Sequence, residues 1–215
     1  MEVAAHPSPN HGPRRGGLAP CMIVLHHTGM PSAGAALARL CDPAAQVSAH
    51  YLVDEGGRVL ALVPEARRAW HAGTAHWAGI TDVNSASIGI EMHNAGAEPY
   101  PRAQVGAVIQ LCQAVMARWP IRWVLAHSDV APARKADPGA QFPWARLAAA
   151  GVGVMPRPSA APAPDARAAL LALGYDPTCS MTALVRAFQR HWAPPVTGRA
   201  CARTRAALGG LLSAL

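Results

Sequence analysis

Titratable side chains that could hold a metal ion stand where predicted strands end. His26 and His27 follow the apolar run "MIVL", His127 follows "WVLA", and Asp137 comes ten positions after His127, across a proline-containing loop. Because side chains alternate across a strand, at most one of His26 and His27 points into a given site. Two imidazoles and one carboxylate form the protein ligands of a catalytic zinc, with a fourth position left for water. The spacing suggests a zinc site, although a lone histidine at a strand end is more often structural.

A carboxylate and a lysine add candidate catalytic groups. Glu91 lies in the otherwise apolar pattern "SIGIEMHN", and burying a carboxylate in a strand is costly unless it is paired or ligated. Glu91 therefore lies either on an exposed face or in a functional site, where it would be the natural general base beside a metal-activated water. Lys135 is the only lysine among 19 basic residues, and it lies between His127 and Asp137.

Short apolar runs and one long amphipathic segment must position these groups. The segment 101–119 carries apolar residues at the i, i+3, i+4, i+7 spacing of a helix packed on a sheet. The turn sequence "DEGG" predicts that the second and third runs form a hairpin. Strands alternating with helices predict the α/β (α+β) class. The predicted strands are 22–28, 50–54, 58–64, 87–94 and 123–129.

The chain after residue 150 has a different composition. Residues 151–164 are rich in proline and alanine, which favours an extended linker rather than a helix. Beyond them, Asp165 can cap the first of three short amphipathic helices. We therefore predict a main domain over 1–150, a linker over 151–164 and a small three-helix domain over 165–215.

Composition restricts the class of protein. Hydrophobic residues make up 51% and charged residues 14%, and no apolar run approaches the ~20 residues of a membrane span, so we expect a soluble protein. The five cysteines lack disulfide or zinc-finger spacing and are expected to be packing residues in a reducing compartment. The arginines behind the net charge of +7 are scattered, which argues against nucleic-acid binding and leaves general surface charge or an acidic substrate.

Five ordered blocks resemble one enzyme family. The blocks "IVLHHTG", "SAHYLVDEGG", "LVPEARRAWHAG", "SIGIEMHNAG" and "AHSDVAPARKADPGAQFPW" are similar to the zinc-dependent N-acetylmuramoyl-L-alanine amidases of the type-2 family, which includes the AmpD and AmiD branches. The resemblance covers roughly residues 7–147. It implies a central mixed β-sheet flanked by helices, with the metal at one end of the strands.

The resemblance assigns roles to individual residues. It implies that His26, His127 and Asp137 bind Zn²⁺, and that Glu91 is the base that assists attack by water. It also implies that Lys135 stabilises the anionic oxygen of the tetrahedral intermediate. A fixed cation there is worth roughly 2.7–4 kcal/mol, by analogy with one oxyanion-hole donor.

Weaker correspondences concern substrate binding. The resemblance implies a groove lined by His50, Trp70, His71, Asn94 and Arg134, and a packed loop is nearly as good an explanation for each. The chain after "EMHNAG" is shorter than in many relatives, which predicts a more open site. The C-terminal module resembles the three-helix peptidoglycan-binding domain, with a generic helical cap on the main core as the alternative.

These features together predict an enzyme that cleaves the amide between N-acetylmuramic acid, or its 1,6-anhydro form, and L-alanine of the stem peptide. The alternative from another class is a non-catalytic muropeptide-recognition protein. We expect a monomer whose partners are peptidoglycan fragments.

The first twenty residues contain no apolar export segment, so we predict the cytoplasm, where the AmpD branch recycles anhydro-muropeptides. If a leader was removed, the alternative is the exported AmiD branch, in the periplasm or at the outer membrane.

Overall fold

The computed structural model describes residues 2–96, 98–157 and 162–214. Its centre is a six-stranded mixed sheet in the order β1-β5-β4-β7-β3-β8, accompanied by a two-stranded antiparallel sheet of β2 and β6. In the larger sheet β4, β7, β3 and β8 run parallel, whereas β5 pairs antiparallel with β4 and parallel with β1. The strands are β1 (Val3–Ala5), β2 (His11–Pro13), β3 (Met22–His27), β4 (Tyr51–Val53), β5 (Val59–Ala61), β6 (Arg67–Ala69), β7 (Ser87–Met92) and β8 (Trp123–Ala126).

Helices cover both faces of the larger sheet. Ile23 and Ile88 point to the face covered by α3, while Met22 and Val24 point to the opposite face, covered largely by the three C-terminal helices. Within the described ranges, no helix is long and apolar enough to span a bilayer. The α-helices are α1 (Ala33–Cys41), α2 (Val83–Ala86), α3 (Arg102–Arg118), α4 (His127–Val130), α5 (Trp144–Ala149), α6 (Ala166–Leu173), α7 (Met181–Trp192) and α8 (Ala202–Leu212).

The predicted fold class, the hairpin of β4 and β5 and the long helix α3 are confirmed. One strand prediction is wrong at its end, because residues 127–129 form the helical turn α4 instead of continuing β8. Asp129 favours this turn, since its Oδ2 accepts a hydrogen bond from the Ala126 N–H at 2.8 Å. The short strands β1, β2 and β6 were not predicted, because their pairing partners are distant in sequence.

The C-terminal helices and the main domain share a buried core. Leu170 of α6 and Phe188 of α7 belong to the same apolar cluster as Met22 and Val24 of β3. Burial of such side chains contributes roughly 1.5–3 kcal/mol each. The predicted linker is also packed at its described ends, since Val152 is 1% and Ala163 is 7% exposed, while residues 158–161 lie outside the described part. The domain boundaries themselves stay a prediction.

A buried carboxylate ties α4 to the C-terminal helices. Asp129 is 0% exposed and accepts hydrogen bonds from Tyr175 Oη at 2.8 Å and His191 Nδ1 at 2.6 Å. The His191 ring is stacked between the rings of Trp144 and Trp192, with both centroid distances at 3.6 Å. Because α4 begins with His127, these contacts hold the turn that carries one of the candidate ligands.

Replacing Tyr175 with Phe should test this connection. The change leaves the buried Asp129 carboxylate without one of its donors, and a hydrogen bond to a charged group is worth about 1.5–3 kcal/mol. We expect the free energy of unfolding, measured by urea denaturation, to fall by about that amount. Tyr100→Phe is a matched control, since Tyr100 donates to the neutral Pro138 carbonyl at 2.7 Å and should lose only about 0.5–1.5 kcal/mol. Equal losses in the two variants would contradict the special role of Asp129.

The cysteines differ in their exposure. Cys112 is buried, and Cys21, Cys41 and Cys179 are partly buried, which agrees with packing. Cys201 is exposed immediately before α8, so the packing prediction is wrong for this residue.

Candidate metal centre and active site

The candidate ligands meet at one edge of the larger sheet because β3, β7 and β8 run parallel and end together. His26 in β3 lies directly opposite Glu91 in β7, so both side chains point to the same face. His127 is the first residue after β8. The following loop returns to this point, since the Ser128 N–H donates to the backbone carbonyl of Asp137 at 3.0 Å.

Three potential ligand atoms converge. His26 Nδ1 lies 2.9 Å from His127 Nδ1 and 3.2 Å from Asp137 Oδ2, and the His127 Nδ1 to Asp137 Oδ2 distance is 3.0 Å. The three residues are 1%, 3% and 9% exposed. Two imidazole nitrogens and one carboxylate oxygen form a set that can hold a metal ion, and three protein ligands are typical of a catalytic zinc with an open fourth position.

The surroundings prepare the Nδ1 atoms to accept a metal. His127 Nε2 lies 3.0 Å from the Ala72 carbonyl oxygen, which can only accept, so the ring proton belongs on Nε2. His26 Nε2 lies 3.0 Å from His71 Nδ1. Burial, and then the neighbouring His127, lower the pKa of His26 to about 4. Burial alone would raise the pKa of Asp137, but its close contacts with His127 and His26 lower it overall. At neutral pH the site therefore offers a neutral His26 imidazole and an ionised Asp137 carboxylate, the forms that bind metal.

His71 supports His26 from behind. His71 Nε2 lies 3.1 Å from Ser87 Oγ, whose hydroxyl donates to the Val83 carbonyl, so His71 Nε2 carries the proton and Nδ1 accepts from His26. Burial, and then His26, hold the pKa of His71 well below its usual value. His71 was predicted to line the substrate groove, and it does border the cavity, but both of its ring nitrogens are used inside the protein. Partners of this kind fix the orientation of a metal ligand.

Gly89 makes room for the His71 ring. A Cβ atom at position 89 would fall well inside van der Waals contact with the carbon and nitrogen atoms of that ring. We expect Gly89→Ala to lower the free energy of unfolding by about 1–3 kcal/mol, because overpacking forces the ring or the strand to move. Urea denaturation would measure the loss. Gly12→Ala is the control, since Gly12 is also in a strand and has nothing within 4 Å of its added Cβ; comparable stability of the two variants would contradict this account.

Glu91 and Lys135 stand beside the three converging groups. Both line the same cavity, and no described residue gives a hydrogen bond to the enclosed Glu91 Oε2. Burial, and then the Asp137 charge, raise the pKa of Glu91 to about 8, while Lys135 opposes this shift. A cation held by the three ligands would favour the ionised form of Glu91. The arrangement places one potential base and one cation next to the candidate metal site.

The cavity has a volume of about 230 Å³. Trp70, which was predicted to line the substrate groove, lies on its wall, and its contact with substrate stays a prediction. His27, Met30 and Arg39 also line it, and sequence reasoning did not assign any of them to substrate binding. His26, not His27, was predicted as the ligand, and Met30 and Arg39 lie outside the five resembling blocks.

Three predicted groove residues lie away from this wall. His50 is 0% exposed, and its Nδ1 accepts from the Gly89 N–H at 2.9 Å, so the groove prediction is wrong for this residue. Asn94 is 5% exposed and holds its own loop through a 2.7 Å hydrogen bond from the Gly96 N–H, which corrects that prediction too. Arg134 borders a neighbouring cleft rather than the cavity.

Known proteins resemble the chain in sequence. Residues 16–140 match the family described as N-acetylmuramoyl-L-alanine amidase. The N-acetylmuramoyl-L-alanine amidase AmiD of Escherichia coli K12 is 38% identical, over 89% of this chain and 82% of its own length. The 1,6-anhydro-N-acetylmuramyl-L-alanine amidase AmpD of Enterobacter cloacae is 33% identical, over 66% of this chain and 86% of its own length.

Solved structures agree with the sequence relatives. The structure of E. coli AmiD in complex with the substrate anhydro-N-acetylmuramic acid-L-Ala-D-γ-Glu-L-Lys has a TM-score of 0.82 and 36% identity, covering 93% of this chain and 91% of that one. AmpDh3 of Pseudomonas aeruginosa in complex with anhydromuramic pentapeptide has a TM-score of 0.80 and 30% identity, covering 94% and 93%. The resemblance recognised in the sequence motifs is thereby confirmed. The chain belongs to the type-2 family of N-acetylmuramoyl-L-alanine amidases, of the AmpD and AmiD kind.

Proposed function

We propose that this amidase hydrolyses the amide between N-acetylmuramic acid, including its 1,6-anhydro form, and L-alanine of the stem peptide, with Zn²⁺ held by His26, His127 and Asp137. The convergence of two Nδ1 atoms and one carboxylate oxygen within 3.2 Å of one another carries the proposal. The family and the substrates named for the similar AmiD and AmpDh3 structures support it. Its products place the activity in peptidoglycan recycling or turnover.

Each protein group has a separate role in the proposed hydrolysis. Zn²⁺, when bound, activates water and polarises a carbonyl as a Lewis acid. Glu91 accepts the proton of the attacking water and passes it to the amine nitrogen as the C–N bond breaks. Lys135 donates a hydrogen bond to the former carbonyl oxygen as negative charge develops on it. His71 and the Ala72 carbonyl keep the two imidazoles in the tautomer that presents Nδ1 to the metal.

Incubation of the purified protein with defined muropeptides tests the proposal directly. We expect zinc-loaded protein to release L-alanyl peptides from both anhydro and ordinary muropeptides, and dialysis against a chelator to abolish the release. Restoration by Zn²⁺ is the positive control. A zinc-loaded protein that left both substrates intact would refute the proposal. The alternative, a non-catalytic recognition protein, predicts that result together with retained muropeptide binding. The complete set of three converging ligand groups argues against this alternative.

The role of the C-terminal helices needs a test of its own. Peptidoglycan binding by the C-terminal helices predicts that the protein sediments with purified sacculi, whereas the helical-cap alternative predicts that it stays in the supernatant. The core shared by these helices and β3 favours a structural contribution in either case.

For the compartment we propose the cytoplasm. Fractionation of cells that express the native gene would test this, and recovery of the protein in the periplasm would overturn it.

A further inference from the structure

A second cleft adjoins the catalytic cavity and is strongly basic. It has a volume of about 340 Å³ and lies between the loop 132–136 and one side of α7. Four cationic side chains line it, and none of the described residues on its wall is acidic. Lys135 lines both this cleft and the catalytic cavity, so the two spaces meet at that side chain. The four cationic residues are Arg134, Lys135, Arg186 and Arg190.

The protein leaves these charges largely uncompensated. Across residues 2–96, 98–157 and 162–214, none of the four forms a salt bridge. Arg134 donates to the carbonyl oxygens of Ala72 and Thr74, which carry no net charge. Arg190 Nη1 is enclosed and has no hydrogen-bond partner among the described groups.

The nearby carboxylate does not satisfy Arg190. Asp129 acts on Arg190 through its charge, but it is buried and already accepts hydrogen bonds from Ala126, Tyr175 and His191. Burial, and then repulsion from Arg186, lower the pKa of Arg190. Like charges confined in one cleft, with a buried donor unpaired, favour the binding of an anion.

We propose that this basic cleft binds a carboxylate of the stem peptide beyond L-alanine, with Arg186 and Arg190 of the C-terminal helix α7 as specificity-determining residues. This inference rests on the proposed function. A bond cleaved beside Lys135 puts the next residues of the substrate within reach of the cleft, since two extended residues span roughly 7 Å. A γ-linked D-glutamate, as in the substrate bound to AmiD, leaves its α-carboxylate free. Guanidinium groups bind carboxylates through paired hydrogen bonds.

The test compares two substrates that differ in one charge. The first is anhydro-N-acetylmuramic acid-L-Ala-D-γ-Glu-L-Lys with a free α-carboxylate on the glutamate, and the second carries an amide there. With wild-type protein we expect KM to be about tenfold lower for the free carboxylate, as for loss of one charge-assisted hydrogen bond. In R186Q/R190Q, KM for the carboxylate substrate should rise to that of the amide, with kcat little changed.

Controls separate this effect from general damage. R203Q removes an exposed arginine on α8 that does not line the cleft, and it should preserve the tenfold difference. R186Q alone changes an exposed side chain and should show part of the effect even if the double variant folds poorly. Equal KM changes for both substrates, or no change in either variant, would overturn the proposal.

The outcome can be told apart from failure of the proposed function. If the wild-type protein cuts neither substrate, the proposed hydrolysis fails, and calorimetric titration with the same two compounds then decides the role of the cleft. Preference for the carboxylate compound that disappears in R186Q/R190Q would support the cleft. Equal affinity for both compounds would refute it.

Discussion

Replacing Glu91 with Gln is expected to lower the rate of amide hydrolysis by about 10²–10⁴-fold, the usual contribution of a positioned general base. Glutamine has nearly the same shape but cannot accept the proton of the attacking water. Glu91 lies opposite His26 across neighbouring parallel strands, on the wall of the cavity that also contains Asp137. Among the described residues on that wall, Glu91 is the only carboxylate outside the proposed ligand set. The measurement is kcat with a defined muropeptide at saturating Zn²⁺.

Measurement of the zinc content distinguishes loss of the general base from loss of the metal. Glu91→Gln should bind one equivalent of Zn²⁺ like the wild type, whereas His127→Ala should lose both metal and activity. Glu55→Gln is the matched control, because the Glu55 side chain is 62% exposed and lies outside the cavity; it should retain full activity. An unchanged kcat in Glu91→Gln would refute the base assignment. Loss of zinc from that variant would mean that Glu91 serves the metal instead.

The main features of the site could be predicted because each candidate group stands at the end of a pattern that is local in sequence. Strand ends are visible as apolar runs, and parallel strands bring their carboxyl ends to one edge, so His26, Glu91 and His127 had to lie near one another once the topology was known. The loop that returns Asp137 is only ten residues long. These relations follow from periodicity together with the family resemblance.

The supporting contacts could not be predicted in this way. Asn84 Oδ1 accepts from the N–H groups of His71 and Ala72 at 3.0 and 2.8 Å, and Ser87 accepts from the His71 ring. Asn84 lies outside the five resembling blocks, and Ser87 begins one of them but is not a residue type whose spacing indicates a metal site. The groove predictions for His50 and Asn94 failed for the same reason: a motif position shows that a residue type matters, but burial and partners decide how it acts.

The packing of the C-terminal helices on the main domain could not be predicted from the sequence either. Proline-rich composition correctly argued against a helix over residues 151–157, the described first half of the predicted linker. Apolar stripes predicted α6, α7 and α8, but a stripe does not say which surface it covers. Pairing His191 with Asp129 joins residues 62 positions apart, and this contact places α7 beside the loop that carries Lys135.

Replacing Lys135 with Ala is expected to lower kcat by about 10²–10³-fold, because a preorganised donor to the developing oxyanion is removed. Lys135→Arg separates charge from shape. The guanidinium keeps the positive charge at the junction of cavity and cleft, so binding of an acidic substrate and its KM should change little. Its planar fork cannot replace a compact ammonium at a single oxygen, so kcat should still fall. Steady-state kinetics of both variants, with zinc content verified, measure these effects. Full activity of Lys135→Ala would refute the oxyanion role. Full activity of Lys135→Arg would refute only the argument from shape, and would show that positive charge at this position is sufficient.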